Sequence, residues 1–154
     1  MDEIQGIVDQ LQRAFEGHAW HGPAVRELLA DVSAAQADAR PIAQAHSIWE
    51  IVLHISTWEH IVRRRLQGEV INELPDEEDW PAVRDTSEAA WRKAVHDLEE
   101  RNRALRDAVA QLDEARLTAK VPGKDHSVYT MLHGIIQHDL YHAGQIAVLK
   151  KARL

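Results

Sequence analysis

The sequence predicts an all-α protein built on four long helices, with a short extra helix after the first, and three observations carry that prediction. Apolar residues recur at three- and four-residue steps over long stretches, no stretch alternates with the period of two that a half-buried strand needs, and Gly and Pro gather between the stretches. At 154 residues and 45% apolar content the chain can bury one core without staples, so a single domain over 1–154 is expected.

The first helix is read from Ile4, Val8, Leu11 and Phe15, which share one face until Gly17 and Gly22-Pro23 interrupt. Val25, Leu28, Leu29 and Val32 predict a short helical piece, with Pro23 tolerated in its first turn, riding on the bundle rather than crossing it. Ser47 and Glu50 form an S-x-x-E capping box that opens the second long helix, about 47 to 67, on the stripe Ile48, Ile51, Val52, Ile55, Trp58, Val62 and Leu66. The segment from Glu69 to Asp85, with Pro75, Pro81 and the acidic run 76–79, predicts a solvated crossover. Asp85 and Glu88 are the expected caps of the third long helix, which ends near Leu112 and has Asn102 as its one polar break. After Pro122-Gly123, Ser127 is the expected N-cap of a fourth long helix running from Val128 to Leu149.

Composition removes whole classes of function. There is no Cys, so disulfides, thiolate metal ligation and a protein cysteine nucleophile are all excluded. The balance of 25 acidic against 18 basic residues, a formal charge of −7, repels phosphate backbones, so nucleic acid is not an expected partner. Met1-Asp2-Glu3 begins no basic, apolar leader and no stretch approaches a bilayer span, so no membrane association and a cytoplasmic location are expected. There is no G-x-S-x-G elbow, phosphate-cradling loop or H-E-x-x-H, and the carboxylate–histidine spacing of dinuclear bundles is missing.

Ten histidines remain, and two fall where helix geometry does not want them. His138 and His142 lie on the face of the fourth helix that also carries Met131, Ile135, Ile146 and Leu149. Imidazoles four residues apart on a helix stand about 6 Å apart at Cβ and can converge on one ion. His54 sits at the inward border of the second helix's stripe, beside Trp58. Three buried imidazoles would leave donors and acceptors unpaired, and one shared cation would satisfy all of them. The competing reading packs His54 against Trp58 and away from the other two. His60, His96 and His133 are expected at the surface, while His21 and His46, in or beside loops, could point into a bundle end or into water. Asp139 also falls inward and needs a partner, either an imidazole or indole N–H or a neighbouring helix, and Gln145 lies near the same opening.

Two stretches resemble the DinB/YfiT-like superfamily. His46-Ser47-Ile48-Trp49-Glu50-Ile51-Val52-Leu53-His54 is similar to its second-helix segment, and His138-Asp139-Leu140-Tyr141-His142-Ala143-Gly144-Gln145-Ile146 to its H-x-x-x-H-x-G-Q-I signature. The resemblance covers nearly the whole chain and includes the Trp20-His21-Gly22-Pro23 turn. It implies an up-down-down-up four-helix bundle, one divalent ion, nickel or zinc, held by His54, His138 and His142, and a homodimer.

Relatives implied by that resemblance include thiol transferases using bacillithiol or glutathione and a mycothiol-dependent isomerase. The expected function is therefore a metal-dependent enzyme acting on a small-molecule substrate, a thiol-dependent S-transferase or else a hydrolase. A low-molecular-weight thiol would be its co-substrate, because the chain has none of its own. Asp139, Gln145, Trp49, Trp58, His21 and His46 are the candidates for the surroundings of the site. The alternative is a non-catalytic, stress-associated dimeric bundle in which the metal only ties helices together.

Overall fold

A computed structural model describes residues 1–152. It is all-helical, with α1 (Glu3–Phe15), α2 (Val25–Leu29), α3 (Ala34–Asp38), α4 (Ile48–Leu66), α5 (Asp76–Asp79), α6 (Glu88–Ala110), α7 (Glu114–Leu117) and α8 (Val128–Lys151). The four long helices form a bundle in which α1 and α4 each pack against both α6 and α8.

Side-chain caps explain where these helices begin. The Ser47 hydroxyl accepts from Glu50 N–H at 3.2 Å while the Glu50 carboxylate accepts from Ser47 N–H at 2.8 Å, the capping box read from sequence. Ser127 caps α8 in the same sense, accepting from Thr130 N–H. For α6 the cap is Ser87 rather than Asp85. Asp85 accepts instead from the N–H of Ser87, and Glu88 reaches back to the N–H of Ala34, so both carboxylates serve neighbouring turns. Helix α6 stops at Ala110, two residues short of Leu112.

The short pieces depart further from expectation. The piece expected from Val25 to Val32 ends early, at Leu29, and a separate, unexpected helix, α3, follows it, started by Ser33, whose hydroxyl accepts from Gln36 N–H. Pro23 precedes the α2 cap, Ala24, and so lies outside the helix. The acidic run is itself one turn of helix, α5, and α7 adds another turn that buries Leu117.

The apolar core falls into two clusters. One joins Phe15, α2, α3, the starts of α4 and α6 and the end of α8. The other joins α1, the ends of α4 and α6 and the start of α8. Thus α4 and α6 run from the first cluster to the second, and α8 runs the opposite way. Two neighbouring helices pointing the same way need a chain return of bundle length, which is what the 67–87 segment supplies. Between the clusters lies a buried polar belt of Glu59, Asn102 and Asp139, one residue from each of α4, α6 and α8, beside His54 and His142.

Candidate metal centre

The inward stripe of α4 and the inward face of α8 bring His54, His138 and His142 together: one nitrogen from each ring lies within 4.8 Å of the others. His54 and His142 are 5% and 4% exposed, so water does not satisfy them. His54 Nε2 and His138 Nε2 are 3.0 Å apart. Four-coordinate zinc bound at about 2.1 Å places its ligand nitrogens about 3.4 Å from one another, so small side-chain adjustments accommodate an ion.

The second nitrogens decide which atoms face the centre. His54 Nδ1 is 2.7 Å from the Asp79 carbonyl oxygen, an acceptor only, so Nδ1 carries the proton and Nε2 presents a lone pair. His142 Nδ1 donates in the same way to Gln145 Oε1 at 2.6 Å, again freeing Nε2. His138 Nδ1 is buried without a hydrogen-bond partner, 3.6 Å from Asp139 Oδ1. Without a cation, one proton between His54 Nε2 and His138 Nε2 relieves the facing lone pairs. To hold an ion through Nε2, His138 would carry its proton on Nδ1, 3.6 Å from Asp139 Oδ1.

Burial lowers the pKa of all three rings, His138 and His142 to about 4, because desolvation disfavours the imidazolium. At neutral pH the site therefore offers three neutral imidazoles, the form that binds a metal. This donor set fits a borderline divalent ion without carboxylate or thiolate help.

The crossover closes over one side of the triad. Trp80, just beyond α5, is sandwiched between His54 and His46, with ring centroids 3.8 and 3.6 Å away and planes within 6° of parallel. Trp58 stands edge-on to His54 at 6.4 Å, and its indole N–H donates to Asp79 Oδ1 at 2.6 Å. A cavity of about 450 Å³ opens on the side of His46, Tyr141, Gly144 and Gln145. A second, of about 370 Å³, is lined by His54, His138, Asp79 and Trp58.

A model of the DinB superfamily matches residues 19–146. The chain belongs to the DinB superfamily. No curated protein and no solved structure matches it. Within this DinB-superfamily chain the other sequence candidates separate. Trp58, His46 and Gln145 stand around the triad as described. Trp49 does not: it is 3% exposed and packs on Trp91 in the first core cluster, since its position on α4 faces α6. His21 is exposed in the Ala19–Gly22 turn and none of its contacts reaches the triad. Of the surface histidines, His96 is exposed, His60 is half-buried, and His133 lies 3.4 Å from Glu3 at the rim of α8.

Both carboxyl oxygens of Asp139 are buried without a hydrogen-bond partner, as is Glu59 Oε2 on α4. Asp139 faces the Glu59 carboxyl, both residues are fully buried, and Glu59 Oε1 accepts from the Asn102 amide at 2.7 Å. Burial raises Asp139 to about 8 and Glu59 well above its ordinary range, with the neighbouring Asp139 charge adding to Glu59's rise. Two such carboxyls share a proton rather than both ionise.

Sequence reasoning missed Glu59, Asp79 and Trp80. Glu59 had a signal, since it stands four residues after Ile55 and three before Val62 in the inward stripe. Trp80 had one too, as a large apolar ring ending an acidic run needs somewhere to be buried. Asp79 meets His54 through its backbone carbonyl and, at 3.2 Å, through the carboxylate that also accepts from Trp58, and nothing in an acidic run singles out which carboxylate turns inward.

Proposed function

We propose that this DinB-superfamily chain holds one divalent ion, nickel or zinc, between His54, His138 and His142 and works as a thiol-dependent S-transferase. The observation that carries the metal reading is the convergence of three neutral imidazoles from two helices, two of them locked with Nε2 inward. When bound, such an ion supplies Lewis acidity, holding a coordinated thiol or water as its anion near neutral pH. The chain's own residues do the rest. Asp79 and Gln145 fix the rings, Trp80 covers the face of His54, Trp58 holds Asp79 in place, and the cavity beside His46 and Gln145 admits a small molecule.

With no Cys in the chain, the thiol comes from solution, as bacillithiol, mycothiol or glutathione. Among the described residues no helix is long and apolar enough to cross a membrane, and the cytoplasm, where such thiols stay reduced, is the compartment this reading implies. Ile42, Tyr141 and Val148, exposed together on one side, support a homodimer.

The test is to incubate metal-loaded protein with each thiol and monochlorobimane, alongside His142→Ala. Conjugation faster than the variant with at least one thiol is the expected result. Equal rates with all three would end the transferase reading and leave metal-bound water or a structural metal.

A further inference from the structure

Arg63, Arg64 and Arg65 close α4, and only the last points inward. Arg64 pairs with Glu69 in solvent, whereas Arg65 is 6% exposed and has no ion pair among the described residues. Its Nη2 donates to the carbonyl oxygens of Ile71 and Asn72 at 2.8 and 3.2 Å, which pins the start of the crossover. Nε is buried with no partner, and Nη1 bonds to no protein group but is reached by water. Burial lowers the guanidinium's pKa and no carboxylate counters it. The face of Trp58, 5.7 Å away, is the compensation the protein itself supplies.

This charge lines the same cavity of about 370 Å³ that His54 and His138 line, together with the apolar side chains of Val62, Met131 and Ile135. We propose that this cavity is a substrate subsite, in which Arg65 binds the carboxylate of a small organic acid whose apolar body lies along Trp58 and Ile135 toward the triad. The identification as a substrate subsite rests on the metal-dependent activity proposed above. A desolvated guanidinium with free donors is the recognition group for a carboxylate. One uncompensated positive charge calls for a monoanion, and the Asp79 carboxylate in the same wall, already engaged by the Trp58 N–H, disfavours a second negative charge.

The test titrates full-length protein, metal-stripped and separately zinc-loaded, with 3-phenylpropionate and with its amide, following the Arg65 Nε–H signal by NMR. In both forms the acid binds tighter than the amide by about tenfold or more, the increment of a charge-assisted hydrogen bond, and shifts the Arg65 signal. Arg65→Gln loses that preference. Equal binding of acid and amide overturns the subsite, as does a preference confined to the zinc form with the Arg65 signal unmoved, or one that survives in Arg65→Gln. The comparison on the unsubstituted protein stands even if Arg65→Gln does not fold. Zinc affinity of the unsubstituted protein is read separately: failure to bind zinc with the acid preference intact removes the metal reading alone, and the converse removes the subsite alone.

Discussion

His54 and His142 each commit the Nδ1 proton to a fixed oxygen, so their Nε2 lone pairs are set before any ligand arrives. The buried carboxyls beside them make a prediction that needs no metal. Asp139 holds its proton up to about 8 against an ordinary 3.8, so between those values the folded chain keeps a proton the unfolded chain has lost, and stability falls as pH rises. His138 and His142, held down to about 4 against 6.5, act the other way, and their stabilisation is complete above 6.5. Above about pH 6.5 those histidines no longer contribute to the slope, and the raised carboxyls make it fall. Urea unfolding of metal-free protein should therefore show stability falling from about pH 6.5 to 8. Asp139→Asn should lessen the fall without abolishing it, because burial alone still raises Glu59, and should gain about 1–3 kcal/mol at the upper end, the cost of an unsatisfied buried polar group. A flat profile for the unsubstituted protein would contradict the shared-proton pair. The three histidines were legible because a polar residue inside an apolar stripe conflicts with the helical pattern. Glu59 carries the same conflict, and its meaning emerges only when α4 and α8 are seen side by side.

Among the elements, α5 does more than connect. One helical turn at 76–79 presents the Asp79 carbonyl to His54 and throws Trp80 between His54 and His46. Trp80→Ala should loosen His54 and weaken zinc binding about 10- to 100-fold, the usual loss when support of a ligand ring is removed. Competition with a chelator measures this, and an unchanged affinity would show that the crossover plays no part in the site. The long helices could be read because capping boxes and apolar stripes are local signals. The one-turn helices could not, since α5 and α7 bury few residues and are stabilised by the surfaces they dock on.

At the scale of the whole molecule, the all-helical bundle followed from periodicity alone, while the pairing of its helices depends on contacts between stretches far apart in sequence. The exposed Ile42, Tyr141 and Val148 carry the homodimer proposal. Sedimentation at micromolar concentration should give twice the mass of one chain, and Tyr141→Glu should shift it toward the monomer. A monomer for the unsubstituted protein would remove the dimer without touching the centre.

The centre itself is tested most directly by X-ray absorption on zinc-loaded protein together with metal stoichiometry. The site predicts one ion per chain with three imidazole nitrogens at about 2.1 Å, and its loss in His54→Ala, His138→Ala and His142→Ala alike. Zinc bound equally by the unsubstituted protein and all three variants, or held without imidazole scattering, would contradict it.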